Sequence, residues 1–154
     1  MKIVVASDSH SHSELLLELV KAYPDADLYL HAGDSQDTSY AIHPFESVKG
    51  NCDYFEFDEK RFIRSPLGNI YMKHLPYLSN EEKKDVDIFI YGHTHKAEVH
   101  EEDGIIYLNP GSIVYPRDNS NGSFAIIEDI NNEICIRIID KLSKNVFITF
   151  KKSI

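Results

Sequence analysis

The stretch KIVVASDSH, residues Lys2–His10, joins an apolar run to two side chains that can act as ligands. The β-branched run KIVVAS, Lys2–Ser7, predicts a fully buried strand. Asp8 and His10 follow at its end, and an extended backbone would point both side chains to the same side. Because Asp-x-His alone is also typical of a helix or turn cap, its role depends on the neighbouring elements.

A strand–helix–strand unit is predicted at this end of the chain. SELLLELVKAYPDA, Ser13–Ala26, has apolar residues at helical spacing and a break at Pro24, with Ser11 or Ser13 as the N-cap. DLYLHAGD, Asp27–Asp34, predicts a second strand that runs into a loop. Such a unit predicts a parallel strand pair with functional loops at the carboxyl ends of its strands.

The remainder of the chain predicts one α/β domain over residues 1–154 whose C-terminal half is mostly sheet. Alternating apolar residues bounded by turn signals indicate its strands. The predicted elements are a partly helical segment at Ser35–Phe45, a short strand within Phe45–Asn51, a hairpin of Tyr54–Arg64 with Gly68–His74, a short helix at Ser79–Val86, a strand at Asp87–His93, hairpins around Asp103-Gly104 and Asn131-Asn132, and a last strand at Asn145–Phe150.

Composition narrows the class of protein. The 154 residues are 42% hydrophobic and 27% charged, with a formal net charge of −9. This charge disfavours general nucleic-acid binding, which needs clustered Lys and Arg to neutralise phosphates. No apolar run approaches the roughly 18 residues of a membrane span, and the N-terminus turns polar too early for a signal peptide. We therefore expect a cytoplasmic protein that has no membrane partner.

Side chains with oxygen or imidazole ligands end or follow the predicted strands, where open α/β sheets bind their ligands. Gly-Asp alone is a common turn, but the two imidazoles of Gly-His-Thr-His suit chelation, and the joint pattern predicts a metal site. The candidate ligands are Asp8, His10, Asp34, Asn51, His74, His93 and His95.

The number and chemistry of these ligands indicate the kind of metal site. Seven candidates exceed the needs of one ion. They suit two divalent ions that lie about 3.5 to 4 Å apart and share one bridging carboxylate. Carboxylate, imidazole and amide donors without a thiolate shell favour Mn, Fe, Zn or Ni over Cu(I) or a structural zinc site. Two such ions would also attract a phosphorylated substrate to an acidic protein.

The order DSH, GD, GNCD, KH and GHTH resembles the calcineurin-like metallophosphoesterase superfamily. With the later NPGSIVYPR, Asn109–Arg117, the short chain is similar to the small bacterial and archaeal YfcE-type phosphodiesterases, a branch structurally akin to a retromer subunit of eukaryotes. The resemblance implies a four-layer α-β-β-α sandwich, in which two mixed β-sheets pack face to face with helices outside.

The resemblance also implies how the candidate ligands are shared between the two ions. The first ion would be held by Asp8, His10 and His95 together with a bridging Asp34, and the second by the same Asp34 with Asn51, His74 and His93. Mn²⁺ is the favoured metal, with Fe, Zn, Ni or Mg as alternatives.

The catalytic residues implied are Asp34, Asn51 and His74, which would act through the metals. Leu75 stands where the family usually has a glycine or a histidine, a departure that would alter the shape of the pocket. Cys52 occupies the position of the proton-donating histidine that many relatives carry. A thiol with an ordinary pKa of about 8.5 is a weak donor, so we predict that Cys52 is not a nucleophile.

The implied reaction is the hydrolysis of a phosphodiester by a metal-bridging hydroxide. A phosphomonoesterase acting on a small phosphorylated metabolite is one alternative, and a non-catalytic protein-interaction scaffold with the same fold is another. The expected partner is a small phosphoester substrate, and a homo-oligomer stays open.

Two further features have expected roles. The NPGS turn, Asn109–Ser112, either orders the ligand loops, contacts the phosphate or is a structural turn. His31 is expected to be a hydrogen-bonded core residue.

Overall fold

The structure, a computed structural model, describes residues 1–154 and contains eleven β-strands and two helices. Neither helix has the length and apolar character that a membrane crossing requires. In chain order the elements are β1 Lys2–Ala6, α1 Ser13–Ala22, β2 Leu28–His31, α2 Ser39–Ile42, β3 Glu46–Ser47, β4 Lys60–Ser65, β5 Gly68–Lys73, β6 Ile88–Ile90, β7 Glu98–Glu102, β8 Ile105–Asn109, β9 Ser123–Ile130, β10 Glu133–Asp140 and β11 Val146–Ser153.

The first sheet, sheet A, is built around β1. Its strand order is β11-β10-β9-β1-β2-β3. β1 pairs in parallel with β2 and antiparallel with β9, so the predicted strand–helix–strand unit with its parallel pair is confirmed. Because β3 is also parallel to β2, the loops that follow β1, β2 and β3 all leave sheet A at the same edge.

The second sheet, sheet B, has three parallel strands between two antiparallel edge strands. Its order is β4-β5-β6-β8-β7. β6 is parallel to both β5 and β8, whereas β4 and β7 are the antiparallel arms of hairpins. Both sheets are therefore mixed, and the expected mixed α/β architecture with two mixed sheets is confirmed.

The residues of β1 contribute to two different cores. Ile3 and Val5 lie between the sheets in one aliphatic core with Ile90 of β6. Val4 lies in a second core on the outer face of sheet A, together with Leu16 of α1. Each fully buried side chain of this kind stabilises the fold by about 1.5–3 kcal/mol. A run without polar alternation is typical of a strand covered on both faces, which is what β1 is.

The two hairpins predicted in the C-terminal half are confirmed. β7 and β8 are joined by Asp103 and Gly104, and β9 and β10 by Asn131 and Asn132. All four of these residues have positive φ. Two-residue turns of type I′ require positive φ at both positions, and glycine, asparagine and aspartate reach it at the lowest cost.

Helix α1 breaks before Pro24 as predicted, but its N-terminal cap differs from the prediction. Its N-cap is His12, which makes no side-chain capping bond, so the predicted caps Ser11 and Ser13 are wrong. Ser11 instead has a φ of 67° and belongs to the loop that follows β1. The helix ends at Ala22, two residues ahead of Pro24, because a residue before proline is disfavoured in the helical region.

The outer face of sheet B is covered by turns. An aromatic cluster that includes Tyr71, Phe89 and Tyr107 lies on this face. The segment Ser79–Asp85 above it is a series of turns, so the helix predicted at Ser79–Val86 is wrong. The helical layer of the sandwich thus lies on sheet A, and sheet B has a covering of turns in its place.

Glu82 attaches this segment of turns to the sheet. Its carboxylate accepts hydrogen bonds from the Tyr71 hydroxyl, from Lys73 Nζ at 2.8 Å and from the Ser79 N–H at 2.9 Å. The bonds from Tyr71 and Lys73 attach the segment to β5, whereas the bond from Ser79 lies within the segment. A segment shorter than about 12 residues has only a weak tendency to form a helix on its own. Burial alone would raise the pKa of Glu82, but the bonds from Lys73 and Tyr71 lower it to about 2.

Replacing Glu82 by Gln is expected to lower the free energy of unfolding by about 1–2 kcal/mol at neutral pH, because a charge-assisted bond to Lys73 is lost. The pKa of Glu82 is about 2 in the folded protein against an ordinary value of 4.5. The stabilisation is therefore complete above the ordinary value and decreases as the pH falls towards 2. Urea denaturation of both proteins at neutral pH and near pH 4 measures the difference.

The matched control is Glu81→Gln, because Glu81 is exposed and pairs only with Lys84 at 3.5 Å. Equal losses in the two variants, or a loss for Glu82→Gln that does not change with pH, would contradict the assignment.

Candidate metal centre

The candidate ligands lie in loops that turn sharply after the strands end. β1 ends at Ala6 and β6 ends at Ile90, so the extended backbone expected for the Asp8/His10 and His93/His95 pairs is wrong. Positive φ values hold the ligand loops instead, at Asp8 (52°), His10 (39°), Asp34 (60°), His93 (71°) and His95 (62°). A non-glycine residue in this region costs about 1 kcal/mol or more, and such strain clusters at functional sites.

Asp8 lies at the centre of the site. Its side chain is completely buried, and its Oδ1 atom lies 3.2 Å from His95 Nε2, 3.8 Å from His10 Nε2 and 3.9 Å from His74 Nε2. Its Oδ2 atom accepts hydrogen bonds from the Ser7 hydroxyl at 2.6 Å and from the His93 N–H at 3.1 Å. One carboxylate oxygen thus fixes the loops, and the other faces three imidazoles.

The Asp34 carboxylate likewise fixes a loop with one oxygen and faces an imidazole with the other. Its Oδ1 atom accepts the Cys52 N–H at 2.8 Å, and its Oδ2 atom lies 3.2 Å from His74 Nε2. Asp8, Asp34 and His74 present ligand atoms within 4.8 Å of one another, as do Asp8, His10 and His95. Asp8 therefore belongs to both of these ligand groups, and Asp34 belongs to the group that contains His74.

Three imidazoles are held with Nε2 towards the centre. The Nδ1 atoms lie within hydrogen-bond distance of acceptors: His10 Nδ1 is 2.7 Å from Gln36 Oε1, His74 Nδ1 is 2.8 Å from the Ala32 carbonyl oxygen, and His95 Nδ1 is 2.7 Å from the Tyr115 carbonyl oxygen. An acceptor at Nδ1 requires the proton there and leaves the Nε2 lone pair for a metal.

The buried polar atoms of the centre test whether metal ions fit. Asp8 Oδ1, His10 Nε2 and His74 Nε2 are buried and make no hydrogen bond. Buried polar atoms without a partner are rare in folded proteins and call for an explanation such as an ion. Because all three are atoms that ligate divalent metals, the residues present fit such ions.

The charges of the buried carboxylates favour the binding of a cation at this site. Burial alone would raise the pKa of Asp34, but the nearby His74 and the Cys52 N–H lower it to about 2. Burial alone would lower the pKa of His74, but Asp34 and Asp8 raise it. Asp34 therefore favours the ionised form, and the two carboxylates favour the protonated form of His74. Metal binding would displace a proton from the ligating nitrogen.

Asn51 and His93 lie at the open rim of the site. Both side chains are exposed, and His93 Nδ1 lies 3.1 Å from Asn51 Oδ1. The His93 ring also meets the His74 ring edge-on, with centroids 5.3 Å apart. The structure therefore brings the other five candidates together in the interior and leaves these two beside them, facing solvent.

Cys52 also reaches the centre. Its sulfur, an imidazole nitrogen of His10 and a carboxylate oxygen of Asp34 lie within 4.8 Å of one another. Burial and the neighbouring Asp34 raise the pKa of the Cys52 thiol. The contact that holds Asp34, however, comes from the backbone N–H of Cys52 and not from its thiol.

The loop that carries Asn51 is bound to the loop that carries Asp34. The Asp53 carboxylate accepts the N–H groups of Asp34 at 3.0 Å, Gln36 at 2.8 Å and Gly50 at 2.6 Å. Gly50 is required for close approach, because a Cβ atom at this position would lie 2.0 Å from Asp34 Oδ1.

The turn Asn109–Ser112 orders the ligand loops from the other side. Asn109 Nδ2 donates to the Gly92 carbonyl at 3.0 Å, and the Ser112 hydroxyl donates to the Asp8 carbonyl at 2.8 Å. The N–H of Gly111 donates to Asn109 Oδ1 and that of Ile113 to the Ser7 carbonyl. Since these amides are already bonded within the protein, the turn supports the ligands and does not present these two amides to a phosphate.

Two supporting residues carried no signal in the sequence. Gln36 and the carbonyl of Tyr115 orient His10 and His95 from positions 26 and 20 residues away.

His31 was expected to be a hydrogen-bonded core residue, and this is confirmed. It is fully buried and lies 3.0 Å from the Ser9 hydroxyl and 3.1 Å from the Ser47 hydroxyl, and burial lowers its pKa to about 4.

The chain matches a known family and known relatives. A family model described as a calcineurin-like phosphoesterase superfamily domain matches residues 1–132. The chain is 29% identical to the probable metallophosphoesterase YsnB of Bacillus subtilis strain 168, with 95% of each chain covered. It is 24% identical to the phosphodiesterase YfcE of Escherichia coli K12, with 84% of this chain and 88% of YfcE covered.

Solved structures agree with this relationship. A predicted phosphoesterase from Streptococcus pneumoniae TIGR4 has a TM-score of 0.85 at 25% identity, with 99% of this chain and 97% of the other covered. Vps29 of Entamoeba histolytica in complex with zinc has a TM-score of 0.71 at 24% identity, with 99% and 98% covered, and this likeness concerns the fold alone.

The chain belongs to the calcineurin-like phosphoesterase superfamily, as its match to the family model over residues 1–132 shows. Membership implies a hydrolase that acts on phosphoesters with divalent metals.

Proposed function

We propose that this protein is a phosphodiesterase with two divalent metal ions. The convergence of three buried atoms without hydrogen bonds, Asp8 Oδ1, His10 Nε2 and His74 Nε2, supports the metal site most strongly. Similarity to a relative named as a phosphodiesterase, YfcE, supports a diester as substrate. The expected substrate is a small phosphodiester.

The proposed ligands divide into two sets with one shared carboxylate. Asp8, His10 and His95 would hold the first ion, Asn51, His74 and His93 the second, and Asp34 both. When bound, such ions activate water and neutralise the charge that develops on the phosphoryl oxygens. We favour Mn²⁺, with Fe, Zn, Ni and Mg as alternatives, because the donors are carboxylates, imidazoles and an amide.

The protein's own contribution is to position ligands and to exclude side-chain nucleophiles. The Ser7 hydroxyl donates to Asp8, and the Ser9 hydroxyl lies 3.0 Å from His31 Nε2. Both hydroxyl groups are thus engaged within the core. We therefore propose that water attacks the phosphorus directly and that no phosphorylated side chain forms.

Two alternatives differ in substrate or in activity. A phosphomonoesterase would use the same centre on a small phosphorylated metabolite. A protein-interaction scaffold would share the fold, as Vps29 does. The buried unpaired atoms of Asp8, His10 and His74 argue against a scaffold, because each such atom costs about 1–3 kcal/mol and has no structural use.

The remaining expectations stay predictions. These are a single domain over residues 1–154, a cytoplasmic location and a homo-oligomer. The single domain is supported by β10 and β11, which lie after the end of the family match and belong to the same sheet as β1.

The purified protein loaded with Mn²⁺ is expected to hydrolyse bis(4-nitrophenyl) phosphate with a higher kcat/KM than 4-nitrophenyl phosphate. Asp34→Ala should lower kcat/KM at least about a hundredfold, because it removes the shared ligand of both ions. Nitrophenol release and bound metal are measured on the same samples. The control is Asp25→Ala, since Asp25 is exposed and pairs only with Lys2 at 2.9 Å. A fully metal-loaded protein that turned over neither ester would support the scaffold.

Cys52→Ser is expected to retain most of the activity, because the backbone N–H that holds Asp34 at 2.8 Å is unchanged. Asn51→Ala should lose metal and rate together, because it removes a proposed ligand next to Cys52. Metal content by mass spectrometry and kcat on the diester distinguish the two variants. A Cys52→Ser protein with full metal content and no activity would assign the thiol an essential role in catalysis.

A further inference from the structure

A cavity with lysines in its wall opens beside the metal centre. Its volume is about 570 Å³, within the range of small-molecule sites. Asn51 and His74 line one part of it, and Lys49, Lys60 and Lys73 line another. A substrate whose reacting phosphoryl group lies at the metal centre therefore has room for one ester arm in this cavity.

Most of the negative charge around the cavity is already bonded. Asp53 accepts three backbone N–H groups, and Glu82 accepts Lys73 Nζ at 2.8 Å. The remaining carboxylate, Glu59, is exposed. Lys73 is thus neutralised by Glu82.

Lys49 and Lys60 make no ion pair within the protein, whereas four other lysines do. The chain has 25 acidic residues against 16 Lys and Arg, so acidic partners are abundant elsewhere on its surface. Two ammonium groups in one cavity wall are therefore available to an anion, and among the carboxylates of the lining only the exposed Glu59 is likewise without a partner.

The pairing of β4 with β5 concentrates this charge further. Lys60 and Lys73 are direct cross-strand partners. Like charges at directly opposite positions destabilise an antiparallel pair. Because Glu82 pairs with Lys73, Lys60 is the ammonium group of this cross-strand pair that stays available to an anion.

We propose that Lys49 and Lys60 form a subsite for a second phosphate group, carried on one ester arm of the substrate. The proposal rests on the proposed function, because it places the reacting phosphoryl group at the metal centre. It narrows the substrate class to phosphodiesters that carry a further phosphate, as nucleotide diesters with a terminal phosphate do.

Two nucleotides that differ by one phosphate test the subsite. Isothermal titration calorimetry of the Mn²⁺-loaded protein compares thymidine 3′,5′-bisphosphate with thymidine 5′-phosphate. We expect the bisphosphate to bind about tenfold more tightly, the effect of charge-assisted bonds to two exposed lysines. In the double variant Lys49→Gln/Lys60→Gln the two nucleotides should bind with the same affinity.

The matched control is Lys21→Gln/Lys151→Gln. It changes the net charge equally and alters two exposed lysines that do not line the cavity. This control should keep the preference for the bisphosphate. Equal binding of both nucleotides by the unaltered protein would overturn the subsite, and so would a preference that persists in the Lys49/Lys60 variant.

Hydrolysis of bis(4-nitrophenyl) phosphate, which has no second anion, reports on the proposed function separately. A protein that hydrolyses this ester but shows no preference for the bisphosphate loses the subsite only. A protein that shows the preference, loses it in the Lys49/Lys60 variant and hydrolyses no ester keeps the anion site and loses the proposed function.

Discussion

The Oδ1 atom of Asp8 is buried, carries charge and has no hydrogen-bond donor, and the rest of the site is arranged around it. Burial alone would raise the pKa of Asp8, but the neighbouring His95 and His74 lower it, so the carboxylate is ionised. An ionised group in a protein interior costs several kcal/mol unless a cation compensates it. The neighbouring imidazoles of His74 and His95 have raised pKa values and supply part of this compensation when they are protonated, and a divalent ion would supply more charge at the same place. The electrostatics therefore favour metal over an empty centre.

The backbone is strained to build this arrangement, and the fold holds the strain in place. Five candidate ligands have positive φ, which no helix or strand would give them. Asp53 fixes the loop of Asp34 by its backbone amides, and Ser112 fixes the loop of Asp8 by its carbonyl. The core between the two sheets provides the rigid base from which these loops leave. Ligand geometry is thus a property of tertiary hydrogen bonds more than of the strands themselves.

The sequence was sufficient to name the candidate ligands and insufficient to predict their geometry. Polar residues at strand ends predicted where Asp8 and His93 lie, because strand ends are fixed by local apolar runs. The backbone at these residues was predicted wrongly, since positive φ is imposed by hydrogen bonds to distant loops. The helix predicted at Ser79–Val86 is wrong as well, and the bonds from Tyr71 and Lys73 that attach Glu82 of this segment to β5 gave no local signal. The partner of His10, Gln36, gave no local signal either.

The central claim is that these side chains hold two ions that share Asp34, and crystallography with anomalous scattering from Mn²⁺-soaked crystals tests it most directly. We expect two peaks about 3.5–4 Å apart. One should be bound by Asp8, His10 and His95, the other by Asn51, His74 and His93, with Asp34 between them. A single peak at full Mn²⁺ saturation, or peaks bound by other residues, would contradict the account.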